Sequence, residues 1–316
     1  MRVDDDPERF AASLTYDILV TEAIGESRVD VDWIRSDDQI RVMGAEHSGR
    51  LDDRVRDGGV LIVAIDGWSD TAVATRRLAA DTDGFVVAVC GARQAESIDP
   101  VVLGEIREAV DTTFIAFRPR QREDIPPDHD DALARTRPFQ SSVAVSGAMD
   151  FVRMIHEPGQ INLDLADART VLSDGSLAVL ARGTASLERA DARDAVRRLF
   201  EALPQPIDTT GGSDALVSVV GGPDLSLDDA VATVRTVREE VETIEEVIWG
   251  VATDDALTDR MTIDIVIDDV AYRPPLSGGD PCRRCGTALT AYTLGEQTTL
   301  FCETCGFADL SMSLRD

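Results

Sequence analysis

Residues 59–65 read GVLIVAI, and residues 85–89 read FVVAV. Neither run contains a charged or polar side chain, which is typical of strands buried on both faces of a parallel sheet. Residues 71–80, between the two runs, have the composition of a helix, and the alternation continues with a helix at 101–109 and a strand at 113–117. Strands that alternate with helices predict an α/β fold built around a parallel sheet.

The segments on either side extend this pattern. Residues 7–23 predict an amphipathic helix with Phe10, Leu14 and Ile18 on one face, and residues 118–140, rich in Pro, Asp and Arg, predict a loop. A second α/β unit follows, with helices at 142–156, 189–202 and 227–241 and strands at 176–181, 215–220, 246–252 and 261–267. We therefore divide the chain into a first α/β domain at 1–140, a central helix and loop at 141–175, a second α/β domain at 176–268, a linker at 269–281 and a small C-terminal module at 282–316.

The charge balance restricts the chemistry. The chain of 316 residues has 59 acidic and 31 basic residues, a net charge of −28, and contains no lysine. The lack of lysine excludes Schiff-base chemistry and a phosphate-loop lysine, and the negative charge makes nucleic acid a poor partner. This composition indicates an extreme halophile, with an ordinary acidic protein as the alternative. Because the N-terminus MRVDDDPERF lacks an apolar signal segment and no run reaches 18 apolar residues, we expect a cytoplasmic protein without a membrane span.

Four of the five cysteines lie within residues 282–316, in two Cys-x2-Cys pairs that are 16 residues apart. A glycine follows each pair, at Gly286 and Gly306, where it allows the chain to turn around a thiolate. This spacing predicts a closed, structural zinc ribbon in which all four thiolates bind Zn²⁺. Two disulfides are the alternative, which a reducing cytosol disfavours. The predicted ligands are Cys282, Cys285, Cys302 and Cys305.

Three segments of the second half resemble the FtsZ branch of the tubulin/FtsZ superfamily. Residues 158–172 read PGQINLDLADARTVL, similar to the family's PGLINVDFADVRTVM, residues 183–190 read GTASLERA, similar to GxASGExRA, and residues 216–228 read LVSVVGGPDLSLD, similar to LxNITGGPDLSLxE. The resemblance covers residues 140–268, extends weakly to 61–89 and does not include the cysteine module. It implies a Rossmann-type parallel-sheet domain that binds nucleotide, a central helix and a second α/β domain.

The GTP-binding loops of the family are degenerate in this chain. The family signature GGGTGTG corresponds to residues 66–71, DGWSDT, where one glycine remains and a tryptophan and two acids occupy the space that phosphates need. The guanine-reading Asn/Asp pair falls on Ser141 and Ser142, and no glycine loop matches within 1–28 or at 44–49. The resemblance therefore implies a nucleotide-binding-type domain that no longer holds GTP.

The family's synergy loop is retained. Its Asn-x-Asp-x-x-Asp pattern is present as Asn162, Asp164 and Asp167. In the family, these side chains enter the GTP pocket of the next subunit in a filament and orient the attacking water, a role for which carboxylates are suited. The alternative is structural, because Asp164 and Asp167 would also cap a helix at 165–173.

The sequence thus keeps the loop that contacts a neighbouring subunit's GTP but lacks the loops that would bind GTP itself. We expect an FtsZ-like pseudo-GTPase without autonomous GTPase activity, which completes a GTPase site in trans and modulates or caps FtsZ or tubulin-family filaments in cell division or cell-shape control. Two alternatives stay open at this point, a divergent GTP-binding GTPase and an adaptor whose zinc ribbon binds protein or nucleic acid. The sequence leaves homo-oligomerisation open.

Overall fold

The computed structural model describes residues 15–20, 39–44, 59–65, 75–76, 79–80, 82–91, 98–117, 143–172, 175–186, 192–258, 260–294 and 297–309. The chain separates into two compact units, Met1–Tyr272 and Arg273–Asp316. The boundary between them lies inside the segment that the sequence predicts as a linker, 269–281.

One nine-stranded sheet runs through the first unit, in the order β2-β1-β3-β4-β5-β6-β10-β8-β9. All neighbouring strands are parallel except that β10 is antiparallel to both β6 and β8, so the fold is the predicted α/β type with a mixed sheet. Strands from before residue 118 and strands from Ser176 onward belong to this same sheet. The division into two α/β domains therefore stays a prediction. The strands are β1 Tyr16–Val20, β2 Ile40–Gly44, β3 Val60–Ile65, β4 Phe85–Gly91, β5 Thr112–Phe117, β6 Ser176–Ser186, β8 Asp214–Gly221, β9 Glu246–Thr253 and β10 Arg260–Ile267, with a separate pair β7 Ile207–Asp208 and β11 Ala271–Tyr272.

Helices cover both faces of this sheet, since its central strands are apolar on both sides. The helices are α1 Pro100–Arg107, α2 Val143–His156, α3 Leu165–Val171, α4 Ala192–Glu201 and α5 Leu227–Glu240. Helices α1, α4 and α5 contribute buried side chains to one core cluster, and α2 and α3 contribute to the cluster on the opposite face. No helix in the part of the chain that the structure describes is long and apolar enough to cross a membrane.

Helix α2 runs from the carboxyl edge of the parallel strands to their amino edge. Near its start, a Cβ added at Gly147 would come within 2.5 Å of the Cβ of Ala116, which lies at the end of β5. At its end, the ring of His156 packs edge-on against Tyr16, the first residue of β1, with 5.2 Å between the ring centroids. A helix of 14 residues is about 21 Å long, so α2 spans the height of the sheet.

The helix predicted over residues 7–23 is wrong where the structure describes it. Tyr16–Val20 is a strand, β1, that pairs in parallel with β2 and β3. Its side chains are buried on both faces, because Ile18 packs into one core cluster and Leu19 into the other. Asp17 is also buried, and its carboxylate accepts hydrogen bonds of 2.8 and 2.7 Å from Arg41 on β2.

The second unit contains a three-stranded antiparallel sheet, β12 Thr290–Leu294, β13 Gln297–Phe301 and β14 Ala308–Asp309. Among the described residues of this unit, the buried core consists of Cys282, Leu289, Leu300 and Cys302. A core of this size is too small to hold a fold by apolar contacts alone, so a cross-link or a metal ion is expected.

Candidate functional site

A loop at residues 158–164 follows α2 and is fixed along the outer edge of β9. The N–H groups of Gln160 and Ile161 donate to the carbonyl oxygen of Val251 at 2.7 and 3.2 Å, and the N–H of Val251 donates to the carbonyl of Ile161 at 2.9 Å. Gly159 makes this approach possible, since a Cβ there would overlap the Val251 carbonyl oxygen. The backbone therefore holds the 158–164 loop in one position.

The three side chains of the predicted synergy loop all form local hydrogen bonds, and two of them, Asp164 and Asp167, bond to each other's backbone. Asp164 is the N-cap of α3, and its Oδ1 accepts from the N–H of Asp167 at 2.9 Å, while Oδ2 of Asp167 accepts from the N–H of Asp164 at 3.0 Å. Asn162 Oδ1 accepts from the N–H of Gly159 at 2.6 Å. The two aspartates thus form a reciprocal capping box, as the structural alternative predicts.

Capping leaves these groups accessible. Asn162 and Asp164 are exposed and Asp167 is partly exposed. Within the described residues, each aspartate uses one carboxylate oxygen in the capping box and the other has no hydrogen bond. An exposed carboxylate oxygen can polarise a water molecule or contact a metal ion. The arrangement is therefore compatible with both roles, because the cap uses one oxygen of each aspartate and leaves the other without a hydrogen bond in the described structure.

A buried ionic network, which the sequence does not predict, lies beside the loop. Arg182 on β6 contacts Asp264 on β10 through Nε and Nη2 at 2.5 and 2.6 Å, and its Nη1 lies 2.7 Å from Asp150 on α2. All three residues are more than nine-tenths buried. Burial lowers the pKa of Arg182, but the two carboxylates outweigh burial and raise the pKa above its ordinary value.

A crevice of about 50 Å³ opens between this network and the loop. Its walls include Arg153, Arg182, Asp264, Gly159 and Gly250. A volume of this size holds a few water molecules, whereas pockets for drug-sized or nucleotide-sized ligands are roughly 300–1,000 Å³. The crevice is therefore not a nucleotide site.

The topology shows where a ligand of the sheet would bind. The chain passes from β1 to β2 in one direction and from β3 to β4 in the other, so the strand order reverses between β1 and β3. Ligands of such sheets bind outside the carboxyl ends of the strands at this switch point. Residues 66–71 follow β3 directly, but they and Ser141 and Ser142 lie outside the described residues. The loss of the nucleotide loops therefore stays a prediction.

The four predicted zinc ligands meet in the second unit. All four Sγ atoms lie within 4.8 Å of one another, with 3.6 Å between Cys282 and Cys305 and 3.4 Å between Cys285 and Cys302. Thiolates at about 2.3 Å from a tetrahedral zinc ion lie about 3.8 Å apart, so the cluster has dimensions that can hold a metal ion.

Two matching turns position these sulfur atoms. The N–H of Gly286 donates to the carbonyl of Cys282 at 2.8 Å, and the N–H of Gly306 donates to the carbonyl of Cys302 at 2.9 Å. Both glycines have positive φ angles, 75° and 72°, as their position after each pair predicts. The two Cys-x2-Cys segments therefore have the same backbone turn.

The four sulfur atoms also influence one another's pKa values. Hydrogen bonds between Cys285 and the side chain and backbone of Thr287 lower the pKa of Cys285 to about 6. The N–H of Phe307 lowers the pKa of Cys305, but desolvation and the three neighbouring sulfur atoms outweigh it and raise that pKa to about 12. Four thiolates this close repel one another, and a divalent cation removes that repulsion.

Sequence comparison shows similarity to one family. Residues 176–271 match the FtsZ family, C-terminal domain. The chain is 30% identical over 168 residues to cell division protein FtsZ 1 of Archaeoglobus fulgidus, covering 53% of this chain and 45% of the relative. It is 30% identical over 128 residues to cell division protein FtsZ of Haloferax mediterranei, covering 40% and 34%. The chain thus spans less than half the length of these relatives.

Solved structures show the same fold at lower identity. An empty FtsZ dimer from M. jannaschii superposes with a TM-score of 0.59 at 16% identity, over 89% of this chain and 100% of that chain. TubZ of Bacillus thuringiensis serovar israelensis, in GDP-form protofilaments, superposes with a TM-score of 0.52 at 9% identity, over 86% and 92%. The nine-stranded unit therefore has the architecture shared by FtsZ and TubZ.

Proposed function

Because the chain is a divergent FtsZ-like protein of the tubulin superfamily, we propose that it docks its 158–164 loop onto an FtsZ-type subunit and modulates or caps that protein's filaments. It acts as a pseudo-GTPase, which offers Asn162, Asp164 and Asp167 to the partner's GTP but holds no GTP itself. The observation that carries the proposal is that Asn162 and Asp164 are exposed on a loop held in place by backbone hydrogen bonds to β9, with Asp167 partly exposed in the first turn of α3.

The direction of α2 supports this role. The helix starts at the carboxyl edge of the sheet, where ligands of parallel sheets bind, and ends at the opposite edge, where the loop follows it. Subunits that carry a ligand site on one end and an activating loop on the other associate head to tail, and such contacts repeat without closing. A subunit with only the loop end joins one partner and ends the row.

The proposal is tested by titrating the chain into a filament-forming FtsZ-type GTPase from a halophilic archaeon, at high salt. We expect co-sedimentation with the polymer, a changed GTPase rate and shorter filaments at substoichiometric amounts. Asp164→Asn keeps a good N-cap residue but removes the charge, so it should keep the fold and lose the effect on the GTPase rate.

Asp229→Asn is the control, because it removes the same charge from another capping box, in which Asp229 is the N3 residue of α5 and Ser226 is the N-cap. It should leave both co-sedimentation and the GTPase rate unchanged. The docking role would be rejected if Asp229→Asn reduced the effect on the GTPase rate as much as Asp164→Asn does. It would also be rejected if the unaltered chain changed neither the GTPase rate nor the filament length and did not co-sediment.

The absence of GTP binding is a separate part of the proposal. It rests on the acidic and tryptophan residues at 66–71, where one glycine remains. Fluorescence anisotropy with labelled GTP at high salt should show no saturable binding. Micromolar affinity would instead support a divergent GTPase and contradict the pseudo-GTPase assignment.

For the second unit, we propose that Cys282, Cys285, Cys302 and Cys305 bind one structural Zn²⁺. Four thiolates leave no open coordination position, so the ion supplies a cross-link between the two turns and no catalytic water. Atomic emission on the purified chain should find one zinc per chain. A stoichiometry near zero, with the cysteines reactive to a thiol reagent, would contradict the assignment.

A further inference from the structure

The outer edge of the nine-stranded sheet is only partly occupied. In β9, alternate residues bond to β8, and the remaining ones direct their N–H and C=O groups away from the sheet. Val251 belongs to this outward set, because its N–H and C=O bond to the 158–164 loop. Val247 and Trp249 have the same parity as Val251, so their backbone groups also point outward.

No backbone hydrogen bond reaches the outward groups of Val247 or Trp249 in the described structure. The loop leaves the edge before it reaches them, because Leu163 turns beneath Gly250 and packs into the core. Val247, Ile248 and Trp249 are all partly exposed. An edge with unpaired backbone groups and partly exposed apolar side chains is a template for another strand.

The charged side chains beside the start of this edge are mainly acidic. Glu242, Glu245 and Glu246 are exposed next to its start, and none of them forms an ion pair within the described residues. Arg238 is the basic residue that the structure places here, and its guanidinium donates to the backbone carbonyl of Glu245. A segment that binds the edge therefore gains from positive charge at the end lying beside Glu245 and Glu246.

We propose that the outer edge of β9, from Glu245 to Trp249, binds an extended segment of a partner protein that carries arginine or lysine at one end. The segment forms main-chain hydrogen bonds with Val247 and Trp249 and lays alternate apolar side chains beside them. Its basic end lies against Glu245 and Glu246. This contact is separate from the docking of the 158–164 loop and does not rest on that proposal.

A second copy of the chain fits the edge less well. Pairing two β9 edges would bring two sets of Glu245 and Glu246 into one interface between molecules of net charge −28. Like charges across an interface oppose association, whereas a basic segment of another protein is attracted.

The test uses a fluorescein-labelled peptide of alternating valine and threonine that ends in two arginines, prepared in both orientations. Anisotropy with the full chain should show saturable binding of one orientation. Replacement of the arginines by glutamates, or N-methylation of alternate peptide amides, should abolish binding. Amide hydrogen exchange at Val247 and Trp249 should slow by about ten-fold in the complex, because those N–H groups become bonded.

Protein variants test the same edge. Val247→Pro removes an N–H that no ladder bond uses, so it should preserve the sheet and weaken binding by about five-fold or more. Glu245→Arg with Glu246→Arg should transfer binding to the glutamate peptide, while Glu105→Arg with Glu108→Arg on α1 makes the same charge change elsewhere and should not.

Three results would overturn the proposal. They are unchanged exchange at Val247 and Trp249 in a saturated complex, equal binding of the N-methylated peptide, and a transfer of peptide preference by the α1 variant. Self-association of the unaltered chain that Val247→Pro abolishes would assign the edge to a second copy instead.

Discussion

Arg182 and Asp264 are direct partners in neighbouring antiparallel strands, and their side chains form two hydrogen bonds of 2.5 and 2.6 Å inside the protein. Since Arg182 also contacts Asp150, one guanidinium ties helix α2 to strands β6 and β10. The 158–164 loop follows α2 directly. The network therefore fixes the helix that carries the loop against the sheet.

Replacement of Arg182 should destabilise the protein strongly. Arg182→Met keeps the aliphatic part of the side chain but removes the guanidinium that contacts both buried carboxylates, and Arg153 is then the charge that still interacts with them. Removing one partner of a buried ionic network costs about 3–5 kcal/mol. Urea unfolding at pH 7 should show this loss. Arg198→Met, which removes an exposed arginine from α4, is the matched control and should change the free energy of unfolding by less than about 0.5 kcal/mol.

The same variant should acquire a pH dependence. In the unaltered chain the pKa of Arg182 is raised, so its contribution to stability is fully present below the ordinary arginine value and is constant across the neutral range. In Arg182→Met the ionised carboxylates stay buried without that guanidinium, so the free energy of unfolding should fall as pH rises. Urea unfolding at pH 4.5 and at pH 8 should show a larger difference in unfolding free energy between the variant and the unaltered chain at pH 8. A difference in unfolding free energy that decreases as pH rises would contradict this prediction.

Gly159→Ala should loosen the 158–164 loop. The added Cβ would overlap the carbonyl oxygen of Val251, which accepts two of the three backbone hydrogen bonds that hold the loop. We expect a loss of roughly 1–3 kcal/mol in unfolding free energy and faster amide exchange at Gln160 and Ile161. Gly104→Ala is the control, because nothing lies within 4 Å of its added Cβ on α1, and it should stabilise by about 0.5–1 kcal/mol.

Two substitutions of Asp164 distinguish its role as the N-cap of α3 from its proposed role in docking. Asp164→Ala removes the acceptor for the N–H of Asp167 and should cost about 1 kcal/mol, whereas Asp164→Asn keeps an acceptor and should cost little. Thermal unfolding measures this difference. If the two variants destabilise equally, the charge rather than the hydrogen bond supports the helix start.

Zinc removal should unfold the second unit. Its buried core contains two of the ligands, Cys282 and Cys302, so little apolar contact remains without the ion. Cys302→Ser, or a strong chelator, should abolish amide protection in β12 and β13 and release the metal. Cys90→Ala is the matched control, because it removes a cysteine from β4 and should leave the zinc content unchanged. Persistent protection after chelation would contradict a metal-dependent fold.

Local patterns predicted most of the fold. The strands at 85–89, 215–220, 246–252 and 261–267 were predicted because apolar runs between turns mark buried strands. The strand at Tyr16–Val20 was mistaken for part of a helix. Phe10, Leu14 and Ile18 have helical spacing, and a strand buried on both faces shows no alternation to contradict it. The charged residue Asp17 also argued against a buried strand, because its partner Arg41 lies on another strand and is not visible in the local sequence.

The Arg182 network and the free edge of β9 were missed for a different reason. Asp150, Arg182 and Asp264 are distant in sequence, and they meet only after the sheet has formed. A signal was available, since Arg182 and Asp264 are opposite charges within apolar strands, a placement that is costly without a partner. The free edge of β9 depends on the order of strands in the sheet and on which alternate residues of β9 bond to β8. Neither can be read from the local sequence. The zinc ligands, in contrast, follow a spacing that is visible in the sequence itself.

The placement of β10 also matters for how the protein is made. This strand, Arg260–Ile267, lies between β6 and β8, which both precede it in the chain. During synthesis, a nascent polypeptide therefore exposes two unpaired strand edges until residue 267 has left the ribosome. Any stop or cleavage before that residue yields a fragment that is prone to aggregate, however well its earlier helices form.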